Sequence, residues 1–216
     1  MNSFLVIGLG RFGVSVAENL YKMGNDVLVV DKNPQFIQQI SGSVTDAVAG
    51  DCCDINVLKS LDAASFDCAV VAISADMEAS ILITYNLKLL GVGKVLAKAT
   101  SDAHEEILKK IGADRVVFPE KQSGIKIAQE LSSHDILDFL ELSTDISIFE
   151  MTLPKKWAGK SLRDLSLRNI YGINIIAVKK ANSSDFEVNI DPDTPFEETD
   201  TIVIIGENSK VERMKK

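Results

Sequence analysis

Over about the first 130 residues, short runs of apolar and β-branched side chains alternate with stretches that are apolar on one helical face only. A strand that is apolar at nearly every position is covered on both faces, and strand-helix alternation of this kind describes a parallel sheet with crossover helices. The pattern predicts six strands, at residues 4–8, 26–31, 47–50, 68–73, 94–98 and 115–118, with helices between them. The first helix runs over 11–23 and stops at Gly24. Asn33 before Pro34, Asp54, Asp76 and Asp102 read as helix caps, and Gly91 and Gly112 close the fourth and fifth helices. A sixth helix, 120–132, carries Ile125, Ala128 and Leu131 on one face.

Beyond about Ser133 the pattern changes. Residues 135–142 read as a short connecting helix, followed by a strand at 146–153, a helix at 161–169, and strands at 174–179, 186–190 and 201–205, with polar turns at 182–185 and 191–195. The expected organisation is a nucleotide-binding domain at 1–133, a connecting helix or linker at 134–145, and a second small domain at 146–216.

A chain of 216 residues accommodates a domain of common size plus a smaller unit, and 46% hydrophobic with 25% charged residues is ordinary for a globular protein. No apolar run reaches the roughly 18 residues of a membrane span, and the first strand runs directly into a glycine loop where a signal peptide would need a longer apolar stretch. A cytoplasmic location is therefore expected. The net charge of −8 argues against nucleic acid as a partner, although a local cluster of Lys or Arg could still hold one small anion. Cys52, Cys53 and Cys68 are odd in number and lack a C-x-x-C spacing, so they read as reduced core residues.

The candidate chemistry lies in Gly8-Leu9-Gly10-Arg11-Phe12-Gly13, which follows a strand, opens a helix, and precedes Asp31 at the carboxyl end of the next strand. In that context the first glycine permits a tight turn, the second lets backbone approach a pyrophosphate, and the third lets helix and strand pack closely. The helix amino terminus directs free N–H groups at the anion. The fold class is accordingly α/β, a Rossmann-type doubly wound parallel sheet followed by a small α+β C-terminal lobe. Asp31 is suited to accept both ribose hydroxyls and would repel a 2′-phosphate, which disfavours NADP and leaves NAD, ATP and ADP open. Arg11 is a cation in the first helical turn, where it opposes the macrodipole unless an anion is also present. Lys98 and Glu120 end the fifth and sixth strands on the ligand-binding edge, as ligand contacts or as solvated strand-end charges. Asp51 has two readings, a contact on the adenine side or a carboxylate that starts the next helix. Lys32 and Cys52 adjoin these carboxylates and complete the candidate cofactor-binding set.

Catalytic signatures are missing. His104 and His134 sit at predicted helix starts without an evident partner, and His104-Glu105 fails as a zinc-protease motif because Leu108 stands where the second His is needed. There is no G-x-S-x-G elbow and no Cys/His cluster. Asp191, Asp193, Glu197, Glu198 and Asp200 lack a calcium-loop glycine and read as a solvated turn.

Several motifs, taken in order, resemble the regulator-of-potassium-conductance (RCK) subunits of the Ktr and Trk uptake systems. They are the glycine loop, Val30-Asp31, Gly50-Asp51, Ala97-Lys98-Ala99, Ile111-Gly112-Ala113-Asp114-Arg115 and Phe118-Pro119-Glu120-Lys121 followed by Gly124 and Ile127-Ala128. The tail from Trp157-Ala158-Gly159-Lys160-Ser161-Leu162 to Gly206 is similar to that family's C-terminal lobe. The resemblance implies a nucleotide sensor with no enzymatic activity. It implies dimers assembling into a ring, commonly an octamer, beneath a potassium-translocating membrane subunit, with ATP, ADP, NAD or NADH in the glycine-loop site. By resemblance Arg11 and Lys98 meet the phosphates, Asp31 the ribose, and Glu120 a Mg2+ or Ca2+ ion near the γ-phosphate. A single nucleotide unit fits the Ktr type better than the tandem Trk type. Some relatives bind cyclic di-AMP between paired C-terminal lobes, and Arg168, Asn174, Ile175, Ile176 and Pro192 would carry it here. The alternatives are a small NAD(H)-dependent oxidoreductase or redox sensor, and an adaptor without a ligand.

Overall fold

In a computed structural model, described over residues 1–132 and 136–215, the chain divides into two compact units, Met1–Gln122 and Ser123–Lys216. In the first, β1 (Ser3–Ile7), β2 (Asp26–Asp31), β3 (Asp46–Ala49), β4 (Cys68–Val71), β5 (Val95–Lys98) and β6 (Arg115–Val117) form one parallel sheet in the order β3-β2-β1-β4-β5-β6. That order reverses between β1 and β4, the topological switch of a doubly wound fold. The two-residue period of a strand sorts the side chains onto two faces. Val6, Val27, Val29, Cys68 and Val70 pack in one apolar layer, and Leu5, Ile7, Val30, Ala69 and Val71 in the other. Both layers are buried, which is why these strands read as continuously apolar.

Helices α1 (Arg11–Lys22), α2 (Pro34–Ile40), α3 (Ile55–Ser60), α4 (Met77–Leu89) and α5 (Asp102–Lys110) make the crossovers. Their starts follow local chemistry. Asn33, Asp54 and Asp76 accept the N–H of Gln35, Asn56 and Ala79 respectively, occupying donors that the helix cannot pair internally. At α5 the cap is Ser101, whose hydroxyl accepts the His104 N–H, and the expected cap Asp102 is instead the first helical residue. His104 is fully buried. The Thr100 N–H donates to its Nδ1 at 3.3 Å, while its Nε2 has no hydrogen-bond partner among the described residues.

The unit boundary falls within α6 (Pro119–Ser132). The second unit contains a sheet ordered β7-β8-β10-β9, made of β7 (Ile136–Glu141), β8 (Ile146–Thr152), β9 (Asn174–Lys179) and β10 (Thr201–Glu207), with antiparallel pairing throughout. The short helices α7 (Leu162–Leu165) and α8 (Leu167–Ile170) and the terminal α9 (Asn208–Lys215) complete it. Met151, Trp157, Ile173, Ile202, Ile204, Val211 and Met214 form its core.

Four sequence expectations are corrected here. The connecting helix expected over 135–142 is largely β7, which pairs with β8 from Ile136↔Met151 to Glu141↔Ser147; Asp135 and the expected helix-start His134 lie outside the described residues. The run Ile136-Leu137-Asp138-Phe139-Leu140-Glu141 has neither a clean two-residue nor a clean 3.6-residue apolar period, so ladder pairing decides. The helix expected over 161–169 is broken at Ser166, which takes the left-handed conformation at φ 44°. The strand expected over 186–190 contributes only an isolated bridge, Val178↔Glu187. In the expected solvated acidic turn, Asp191, Asp193, Glu197 and Glu198 are exposed, and the departure is Asp200, which is 1% exposed and receives Lys180 Nζ at 2.7 Å. The helix α9 was not anticipated. Its Val211 and Met214 are fully buried, so lobe packing supports a polar segment with weak intrinsic helical signal.

Candidate functional site

The loop between β1 and α1 owes its shape to two glycines. Gly8 has φ +95° and its position abuts Ile73, while a Cβ on Gly13 would overlap the Gly8 carbonyl oxygen. Gly10 faces open space, has no side-chain cap to occupy the first N–H groups of α1, and leaves the backbone accessible. The first turn of α1 contains no acidic residue. Free N–H donors and the positive end of the helix dipole therefore face outward at the carboxyl edge of the sheet, the arrangement that receives a phosphate.

Beside this loop lies a cleft of about 430 Å³, lined by Gly8, Leu9 and Gly10, by Asp31 to Asn33 and Phe36, by Gly50 to Cys53, and by Ala72 to Asp76. Of the predicted residues it unites Gly8, Gly10, Asp31, Lys32, Asp51 and Cys52. Its volume falls in the range of small-molecule sites. Asp31 Oδ2 accepts the Leu9 N–H at 2.7 Å and Oδ1 the Asn33 N–H at 2.8 Å. Each oxygen keeps a further lone pair for a hydroxyl donor. Asp51 Oδ1 accepts the Cys53 N–H at 2.9 Å, and that bond chiefly holds the Asp51 carboxyl below the usual range. Burial pushes the Cys52 thiol up to about 12 and the Cys53 thiol to about 11, so both stay protonated and are poor nucleophiles at neutral pH.

Arg11, Phe12, Gly13, Lys98 and Glu120 do not line this cleft. Gly13 packs behind the loop. The others adjoin a second cluster in which Lys98, 4% exposed, donates to Glu120 Oε1 at 2.6 Å and to Ser74 Oγ at 3.0 Å, with its ammonium 5.6 Å from the Phe12 ring centroid. The Lys98 hydrogen bond is the main reason the Glu120 carboxyl sits below the usual glutamate range, and the Arg11 charge acts in the same direction. Ser74 belongs to both the cleft and this cluster and so joins them. Sequence reasoning missed Ser74, Ile73 and Cys53, and treated Asp76 only as a cap. The available signal was position: residues 72–76 follow β4, the strand across the topological switch from the glycine loop.

Glu120 offers a hard oxygen ligand to Mg2+ or Ca2+, but among the described residues no three His, Cys, Asp or Glu side chains gather to hold a metal. In the second unit, Arg168, Asn174 and Ile175 line a depression of about 270 Å³ with Leu162, Ser166, Leu167, Asn169 and Ile173. Ile176 and Pro192 do not line it. Ile175 points into the core and Ile176 to the opposite face of β9, while the Pro192 carbonyl accepts the Arg163 N–H at 3.0 Å.

The TrkA-N domain family matches residues 4–119 and the TrkA-C domain family residues 146–216. The chain is 39% identical over 212 residues to Ktr system potassium uptake protein A of Bacillus subtilis (strain 168), covering 98% of this chain and 95% of the relative. It is 33% identical to Ktr system potassium uptake protein A of Vibrio alginolyticus, covering 96% and 94%. In fold it is similar to the GsuK channel, with a TM-score of 0.73 at 19% identity, over 99% of this chain and 39% of that one. A TrkA-N domain followed by a TrkA-C domain, together with 39% identity over 95% of the Bacillus relative, shows that the chain belongs to the Ktr/Trk-type regulator-of-potassium-conductance family.

Proposed function

We propose that this chain is a cytoplasmic regulatory subunit, without enzymatic activity, of a potassium uptake channel or transporter, and that an adenine nucleotide in the glycine-loop cleft sets its state. The observation that carries this reading is the convergence of uncapped α1 N–H groups with Asp31, at the end of the neighbouring β2, beside the sheet's switch point, in a chain whose Bacillus and Vibrio relatives are Ktr potassium uptake proteins. The phosphates lie over the α1 amino terminus, the ribose against Asp31, and the base towards Asp51 and Cys52. Lys98 and Arg11 supply positive charge for further phosphates. Glu120 then exchanges Lys98 for a divalent cation shared with the nucleotide.

Regulation requires a ligand with unequal affinity for two states of the assembly, because equal binding shifts nothing. An additional γ-phosphate beside Lys98 and Glu120 meets that requirement. Ring assembly, as dimers joining into an octamer, and a membrane partner on another chain belong to the same proposal. It is supported by the exposed apolar face of α4, with Met77 47%, Leu82 41%, Tyr85 51% and Leu89 63% exposed. No helix among the described residues is long and apolar enough to cross a membrane.

Calorimetric titration of ATP, ADP, NAD and NADH into wild type and Asp31→Ala tests the site. Micromolar binding is expected for at least one adenine nucleotide. Loss of the ribose hydrogen bonds to a charged acceptor should weaken it by about 2–4 kcal/mol. Equal affinity in the variant would remove Asp31 from the site, and catalytic oxidation of NADH would favour an oxidoreductase instead.

A further inference from the structure

The chain carries a net charge of −8, yet three cations line one small surface depression of the second unit. Arg168 of α8 meets Lys210 and Arg213 of α9 around Asn169 to Gly172, enclosing about 290 Å³. Lys210 and Arg213 are three residues apart and so share one helical face, while the intervening Val211 and the following Met214 are fully buried and anchor α9. Gly172 is the floor: a Cβ there would stand 3.2 Å from Lys210 Nζ, so the ammonium passes close above the backbone.

Only Lys210 has a carboxylate partner, Glu207 at 2.5 Å. Among the described residues the Arg168 and Arg213 guanidinium groups make no hydrogen bond or ion pair. Nor does capping of α8 require them for its Leu167 and Arg168 carbonyls, which already accept the Tyr171 and Gly172 N–H groups. Two guanidiniums and an ammonium thus line the depression, and no carboxylate among the described residues does, within an acidic protein. Guanidinium groups present paired donors that match phosphate oxygens.

We infer that this depression binds a phosphate group, carried by a small phosphorylated solute or by an anionic lipid headgroup. Ile170, 64% exposed at the rim, offers apolar contact to whatever bears the phosphate. The residues that define the site are Lys210 and Arg213, which take no part in the depression containing Asn174 and Ile175; Arg168 stands between the two. The inference rests on neither the glycine-loop reading nor cyclic di-AMP binding.

The test is titration of pyrophosphate into the full chain, with ADP saturating, for wild type, Lys210→Gln/Arg213→Gln and the control Lys155→Gln. Lys155 is on the same lobe with its side chain 90% exposed, so its substitution removes a charge without touching the depression. Wild type and control should bind alike, and the double variant more weakly by about tenfold for each cation removed. A parallel arm measures co-sedimentation with phosphatidylglycerol vesicles. Binding to vesicles but not to pyrophosphate, abolished in the double variant, assigns the phosphate to a lipid. Equal affinity in wild type and double variant, an equal loss in the control, or no binding in either arm would overturn the site.

Discussion

Glu120 is the residue whose state should report most directly on the nucleotide site. Its carboxylate is held by Lys98, yet its side chain is 62% exposed, so the pair contributes little to folding by itself. A depressed carboxyl pKa stabilises the fold above the ordinary value and the contribution disappears as pH falls through the lower folded value. Wild type and Glu120→Gln should therefore show a constant stability difference above about pH 5 that shrinks as the solution is acidified below it, measured by urea unfolding. The same variant tests metal binding. Magnesium or calcium should tighten ATP binding more than ADP binding in wild type, and Glu120→Gln should lose that distinction in calorimetry. An unchanged metal dependence would leave Glu120 as a partner of Lys98 only.

At the scale of elements, the junction of α7 and α8 carries local strain. Ser166 adopts φ 44°, ψ 38°, a conformation costly for a residue with a Cβ, and its hydroxyl donates to the Arg163 carbonyl at 3.2 Å in partial compensation. Ser166→Gly should raise the urea midpoint, stabilising the protein by about 0.5–1 kcal/mol after the loss of that hydrogen bond. An unchanged or lower midpoint would show that the hydroxyl bond outweighs the strain. The β9 segment makes a second test. Because Arg168, Asn174 and Ile175 share one depression, Asn174→Ala should weaken cyclic di-AMP binding to the full chain, while Ile176→Ala, on the opposite strand face, should not. Thermal shift with cyclic di-AMP under saturating ADP measures both; absence of any shift in wild type would reduce the segment to a structural role.

For the whole molecule, self-association is the property most sensitive to surface chemistry. Light scattering of the wild type should give a mass several times that of the 23.5 kDa chain, and a strictly monomeric mass with every nucleotide would contradict a ring. Tyr85→Asp, introducing a charge on the exposed apolar face of α4, should shift the distribution to smaller species. Because Tyr85 is half exposed, the variant should retain the wild-type thermal midpoint, which separates loss of assembly from loss of folding.

The sequence by itself determined the six-strand doubly wound sheet, the glycine loop and Asp31, because each rests on interactions local to a few residues. Apolar runs declare two-sided burial, and the loop needs glycine at Gly8 and Gly13 for reasons of backbone geometry alone. Most caps were equally legible, since Asn33, Asp54 and Asp76 act on N–H groups two or three positions ahead. Tertiary structure alone decided the rest. Whether residues 136–141 became strand or helix depended on a ladder partner in β8, and α9 formed where Val211 and Met214 found a core. Ser74 entered the site because β4 lies beside β1 in space, and Lys98 became a buried cation because Glu120 and Ser74 converge on it from different strand ends. Those relations join residues distant in sequence, where neither periodicity nor local turn chemistry carries information.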